Sequence, residues 1–180
     1  MKVLVLNSGS SSQKASLYEI GPNLPDSPPA PVWEGKIEWE ENDAAIAVRT
    51  SHGANVRDRM KVTSRAEAIE QLLDSLWKGS TRVLSVPADI GLAGHRVVHG
   101  GQHFKQPTLI TPQVKTAIAG MSAFAPLHNR AELEGIDIVE KNIGAIPQVA
   151  VFDTSFHSDL PEAAAVYPGP YEWLSRGIRR

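Results

Sequence analysis

The residues best equipped for chemistry fall in four short segments. The first, Asn7-Ser-Gly-Ser-Ser-Ser-Gln-Lys14, follows the apolar run Val3–Leu6 and combines amides, a glycine, four serines and a lysine. That composition suits phosphate. Gly9 lets the backbone approach a ligand closely, the amides and hydroxyls of Ser10, Ser11 and Ser12 can donate to phosphate oxygens, and Lys14 adds a compact cation. The spacing is not that of a Walker loop, because no second glycine follows after four residues and no Gly-Lys-Ser/Thr ending is present. If the segment binds a nucleotide, it does so by a β-turn between two strands rather than by a loop that opens a helix. A solvated serine-rich turn has the same composition.

The second segment is Gly94-His-Arg-Val-Val-His-Gly-Gly101. On a strand, Arg96 and Val98 share one face and His95, Val97 and His99 the other. A guanidinium beside a valine suits a small carboxylate with an alkyl tail: the fork takes both oxygens and the valine lines the apolar end. The competing reading is a structural ion pair. His95 and His99 lack the glutamate of a zincin helix, and hydrogen-bonding or core roles suit them better than metal ligation. The third segment, Phe124-Ala-Pro-Leu-His-Asn129, precedes a helix, so Asn129 is expected as its N-cap and His128 at its entry, within reach of a phosphoryl oxygen. The fourth, Val149-Ala-Val-Phe-Asp-Thr-Ser-Phe-His157, delivers Asp153 at the carboxyl end of a buried strand, where α/β sheets place ligands. Asp153 can orient an attacking oxygen, hold Mg²⁺, accept a proton or simply cap. His157 reads as structural.

The elements that position these groups follow from periodicity. Val3–Leu6 is continuously apolar and is expected to be buried on both faces. Lys14–Ile20 and Val32–Trp39 alternate, the first with Ala15 and Leu17 on one face and Ser16, Tyr18 and Ile20 on the other, the second with Trp33, Gly35, Ile37 and Trp39 on one side. Five prolines between Gly21 and Pro31 forbid regular structure there. Ala44–Arg49 and Asn55–Val62 read as more polar strands. Ser64-Arg-Ala-Glu67 is a capping box for a helix ended by Gly79, with Ala66, Ile69, Leu72, Leu73, Leu76 and Trp77 on one face. Strands are expected at Asp89–His99 and Ile146–Asp153, and helices from Pro112 and over about Arg130 to Lys141, while 163–170 reads as a loop. Turn-linked strands followed by helix–strand alternation indicate an α/β domain with a mixed sheet, not a doubly wound parallel one.

Composition bounds the function classes. The 180 residues suffice for one good core or two small ones, and 42% apolar with 21% charged content is ordinary for a globular protein. A net charge of −2 provides no basic field for nucleic acid, and the absence of cysteine excludes disulfides and thiolate metal sites. The first apolar run is too short for a secretory h-region, and no segment is long enough to span a bilayer, so a cytoplasmic protein is expected.

Taken in order, Asn7–Lys14, His95–Gly101, Ala125–Asn129 and Val151–His157 resemble the acetate kinase (acetokinase) family, and the resemblance runs from Met1 to Arg180. It implies an RNase H-like domain of the acetate and sugar kinase/Hsc70/actin superfamily, a mixed sheet with flanking helices. It also implies Mg²⁺-dependent, reversible phosphoryl transfer between ATP and acetate, giving acetyl phosphate and ADP. By resemblance, Asn7 belongs to the Mg²⁺/phosphate site, and Ser10, Ser12 and Lys14 contact the ATP phosphates. Arg96 binds the acetate carboxylate, Val98 and Leu127 line the methyl pocket, and His128 lies near the transferring phosphoryl group. Asp153 matches an aspartate assigned to proton transfer. A carboxylate is already ionised at neutral pH, so alignment of acetate or Mg²⁺ is the more natural role.

Two departures stand out. Arg130 replaces the family's usual proline, and the chain ends where the family continues into a second half, so residues 1–180 are expected to be the N-terminal domain; the resemblance implies a homodimer for the full-length family and leaves the state of these residues alone open. The same resemblance admits a propionate or butyrate kinase, and an inactive domain that only binds small carboxylates or phosphate. All of these readings expect Arg96, Asp153 and the serine turn to converge on one cavity.

Overall fold

The computed structural model describes the chain except residues 42, 102, 122–125, 177, 179 and 180, and gives the backbone but not the side chains of 126–128. Five strands come first: β1 (Lys2–Ser8), β2 (Ser12–Glu19), β3 (Trp33–Trp39), β4 (Asp43–Thr50) and β5 (Asn55–Lys61). After helix α1 (Arg65–Asp74) come β6 (Ile90–Val97), the two-residue β7 (Thr108–Leu109), α2 (Pro112–Gly120), α3 (Pro126–Ile143) and β8 (Gln148–Phe152). A 3₁₀ turn over Asp153–His157 and the short helices α4 (Glu162–Ala165) and α5 (Glu172–Ser175) follow. The strands form one sheet in the order β5-β4-β3-β2-β1-β6-β8-β7. Its first five strands run antiparallel as a meander, whereas β1, β6 and β8 are parallel neighbours. This is the mixed sheet expected from turn-linked strands followed by crossovers.

Alternation decides which side of the sheet is covered. Leu4, Leu6, Leu17, Trp33 and Ile37 bury one face against Ile69, Leu72 and Leu73 of α1 and Ile138 and Val139 of α3. A smaller core joins Val97, Ala150 and Phe152 to Val114 and Ile118 of α2 and Ile136 of α3. β1 departs from expectation: Val5 is 38% exposed, because α1, α2 and α3 cover only the face that carries Leu4 and Leu6. Its continuous apolar pattern does not distinguish a doubly covered strand from a singly covered one.

Local signals set most boundaries. Ser64 caps α1 by accepting the Glu67 N–H, but the reciprocal bond falls one residue earlier, with Glu67 accepting from both the N–H and the hydroxyl of Thr63. The helix ends at Asp74 rather than at Gly79, which adopts a positive φ of 74° in the following turns. Thr111 caps α2 with Pro112 at its first position, as the sequence indicates. α3 begins four residues before the expected Arg130, so Asn129 is not its N-cap. Asn129 is a fully buried residue of the first turn that donates Nδ2–H to Ile118 O at 3.2 Å, tying α3 to the end of α2. Strands β6 and β8 stop at Val97 and Phe152, short of the expected His99 and Asp153, and part of the 163–170 stretch is helical.

One glycine is demanded by packing. A Cβ on Gly35 would stand 2.5 Å from Trp33 Cη2 and 2.6 Å from Leu72 Cδ1, both in fully buried side chains. Gly35→Ala is expected to destabilise the fold by roughly 1–3 kcal/mol through overpacking, read as a lower urea midpoint at unchanged slope.

Candidate functional site

Strand register assembles the site. Asn7 pairs directly with Lys14 on one side and with Arg96 on the other, and Arg96 pairs with Val151. Directly paired residues share a face, so Lys14, Asn7 and Arg96 stand side by side on the face opposite α1–α3, at strand intervals of about 4.8 Å. Ser12, two residues before Lys14, belongs to the same face, while Gln13 between them is buried. β8 ends one residue after Val151, and the 3₁₀ turn begins with Asp153.

The side chains then meet. Arg96 Nε lies 2.9 and 3.0 Å from the two carboxylate oxygens of Asp153, and its Nη2 donates to Oδ2 at 2.5 Å. Its Nη1 donates to Asn7 Oδ1 at 3.1 Å. A guanidinium has five N–H groups, so these contacts leave one on each Nη, the number a second carboxylate needs for a paired bond. The ion pair weighed at the sequence level is therefore present, and it leaves Arg96 with capacity for an anion. The Arg96 and Asp153 side chains are 47% and 41% exposed, so the cluster is open to solvent on this face of the sheet.

The serine turn begins two residues beyond Asn7. It closes with the Gly9 N–H on Ser12 O at 2.8 Å, and a Cβ on Gly9 would stand 3.1 Å from that same oxygen. The glycine thus serves the closeness of its own turn. Ser10 and Ser11 are exposed, as is Lys14. Of the remaining expected residues, Val98 lies just past β6, two residues from Arg96. Leu127 and His128 fall in the first turn of α3, and their side chains lie outside the described residues.

Glu132, Thr154 and Arg65, which contact the elements around the cluster, escaped sequence reasoning. Glu132 of α3 is 2% exposed; its Oε1 accepts the Val98 N–H at 3.0 Å, and its Oε2 has no hydrogen-bond partner among the described residues. Burial pushes its carboxyl up to about 7, opposed by the Val98 N–H and the Arg96 cation and reinforced by the Asp153 charge. Only α3's path over β6 reveals it, since a glutamate on a helix otherwise reads as solvated. Thr154 Oγ1 accepts the Gly100 N–H at 2.9 Å, joining the loop after β6 to the turn after β8. Arg65, the first residue of α1, bonds the serine turn through Gly9 O and Ser10 O. His95 faces the core, its Nε2 2.7 Å from Gln148 Oε1, and burial lowers its pKa to about 4. His99 Nδ1 accepts the Gly101 N–H at 3.1 Å. The His157 ring stands edge-on to Phe156.

Among the described residues no group of three or more His, Asp or Glu is placed to hold a metal ion, and no helix is long and apolar enough to cross a membrane. The oxygen donors nearest the cluster are the Asn7 amide and the Asp153 carboxylate, both hard ligands of the kind Mg²⁺ prefers.

Comparison with known proteins gives a consistent result. The Acetokinase family matches residues 2–180. Acetate kinases of Cyanothece sp. and Acaryochloris marina are 54% and 50% identical to the chain, each over its full length and 45% of their own. The chain thus spans about half the length of the curated relatives it matches. Among solved structures, an acetate kinase of Porphyromonas gingivalis superposes with a TM-score of 0.87 at 34% identity, over 99% of this chain and 44% of that one. A propionate kinase of Francisella tularensis gives 0.82 at 33%, with the same coverage.

The titration of Glu132 has a readable sign. Its folded pKa of about 7 exceeds the ordinary 4.5, so the native state holds the extra proton between those values and loses stability as pH rises through that window. Glu132→Gln keeps an acceptor for Val98 without the charge. Its unfolding midpoint is expected to match wild type near pH 4.5 and to exceed it increasingly up to pH 8, as read by urea titration at each pH.

Proposed function

The chain belongs to the acetokinase family, and from that premise we propose that it is the N-terminal RNase H-like domain of a kinase that moves a phosphoryl group reversibly between ATP and acetate. The observation that carries this reading is the Asn7–Arg96–Asp153 cluster, in which strand register brings a half-exposed guanidinium beside a carboxylate and leaves it two N–H groups. Membership supports the reaction class, since the curated relatives are named acetate kinases.

In this proposal the two remaining N–H groups of Arg96 take the acetate carboxylate, with Val98 and Leu127 around the methyl group. Asn7 turns its amide N–H group and Lys14 its ammonium toward the phosphates, which Ser10 and Ser12 contact beside them. Asp153 holds Arg96 in orientation and so aligns the acetate, and His128 stands at the transferring phosphoryl group. An acetate oxygen attacks the γ-phosphorus. The new O–P bond forms as the bond to the β–γ bridging oxygen breaks, and the electron pair leaves with ADP. No proton need be removed from acetate, because the nucleophile is already ionised. Asn7 and Asp153 would hold Mg²⁺, which supplies charge neutralisation at the phosphates when bound. The cytoplasm, and a homodimer of the full-length protein, belong to the same reading.

A closely related reading replaces acetate with propionate, favoured by the nearly equal likeness to the Francisella propionate kinase. One methylene changes discrimination by only ~10–200-fold in an apolar pocket.

Acetate is expected to bind the chain weakly in calorimetry, and Arg96→Ala is expected to abolish that binding. Unchanged affinity in the variant would remove Arg96 from the carboxylate site, and tighter binding of propionate than acetate would select the longer substrate. The 180-residue chain alone is expected to form negligible acetyl phosphate by hydroxamate detection. Phosphoryl transfer depends on surrounding cations, single examples of which are worth ~10³–10⁵ in rate, and the chain spans only 45% of its curated relatives.

A further inference from the structure

Arg65 is the first residue of α1, far in sequence from the serine turn and yet bonded to it twice. Its Nη2 donates to Gly9 O at 2.8 Å and its Nη1 to Ser10 O at 2.9 Å. The guanidinium lies over the Trp39 ring, 4.3 Å from the centroid, and its Nε is 3.6 Å from Glu134 Oε2 on α3. The Trp39 backbone also ties down the turn directly, donating its amide N–H to Ser11 O at 3.1 Å. Three consecutive carbonyls, Gly9, Ser10 and Ser11, are therefore held by groups outside the turn.

Peptide planarity converts this into a statement about donors. In a trans peptide the C=O of one residue and the N–H of the next point in opposite directions. With the Gly9 and Ser10 carbonyls drawn to Arg65, the N–H groups of Ser10 and Ser11 are directed away from it. Both residues are exposed, and neither N–H donates to a described residue. Two outward N–H groups in succession, flanked by serine hydroxyls, form the concave donor set that binds phosphate oxygens.

We propose that Arg65 is a positioning residue for phosphate: by holding the Gly9 and Ser10 carbonyls through both Nη atoms, it aims the Ser10 and Ser11 amides at the oligophosphate of a nucleotide. This rests on the phosphate reading of the turn made above and adds the device that orients it. Lysine cannot replace Arg65 here, because one ammonium does not reproduce a planar fork spanning two carbonyls. Stacking on Trp39 fixes the plane of that fork.

The test titrates the 180-residue chain with inorganic pyrophosphate, following the ¹⁵N-resolved amides of Ser10 and Ser11, with acetate binding measured in parallel. Wild type is expected to show both amides shifting on pyrophosphate addition. Arg65→Lys and Arg65→Ala are expected to weaken pyrophosphate roughly tenfold or more, to lose the selective shifts at Ser10 and Ser11, and to leave acetate affinity unchanged. Wild-type pyrophosphate affinity in both variants would overturn the positioning role while leaving the phosphate site standing. Equal loss of pyrophosphate and acetate binding in Arg65→Lys would assign Arg65 to the fold alone. A wild-type titration that perturbs neither amide would remove the phosphate reading of the turn, and the proposal with it.

Discussion

The parallel register of β1, β6 and β8 is the constraint on which the candidate site depends. It sets Asn7 opposite Arg96 and Arg96 opposite Val151, so that Asp153 emerges from the sheet two residues later beside the guanidinium. Groups separated by 57 and 89 positions in the chain thereby share one hydrogen-bonded cluster. A one-residue slip of β6 would move Arg96 to the helix-covered face and place Val97 or His95 in the row. The apolar partners Val97 and Phe152, buried against α2 and α3, make such a slip unfavourable. Core packing on one face thus fixes chemistry on the other.

The cluster itself adds little to stability. An ion pair whose side chains are nearly half exposed is worth at most about 1 kcal/mol. The expensive groups lie behind it, on the face toward α3: Glu132 and His95 are each 2% exposed, and each retains a side-chain polar atom without a hydrogen-bond partner among the described residues. Buried groups left partly unsatisfied normally destabilise. Here they adjoin the end of β6, where Glu132 holds the Val98 backbone. That departure from ideal packing coincides with the proposed carboxylate site, which is where such departures concentrate in functional proteins.

The mixed sheet links two kinds of site architecture. The serine turn, proposed to hold phosphate, joins antiparallel neighbours, so it has no helix to supply aligned N–H groups. Its carbonyls are instead held by contacts from α1 and β3, through Arg65 and Trp39. The carboxylate cluster instead sits at the carboxyl ends of parallel strands, the usual ligand position in α/β sheets. Asn7 belongs to both, as the residue of β1 that pairs with Lys14 and with Arg96.

Much of this was legible in the residues themselves. Alternation grouped Ala15 with Leu17 and Trp33 with Gly35 and Ile37 on shared faces, which the structure buries, Thr111-Pro112 and Ser64 announced their helices, and the family likeness of four segments singled out Arg96, Asp153 and the serine turn. These features are local, arising from side-chain periodicity and capping, and need no knowledge of what lies opposite. Tertiary structure alone decided that β1 is covered on one face only, that Asn129 is a buried tie between helices and not a cap, that Glu132 is buried against the Val98 N–H, and that Arg65 bonds the serine turn. A glutamate or arginine on a helix becomes buried, paired or functional only through what the helix packs against. That environment is assembled from distant segments, which no local pattern encodes.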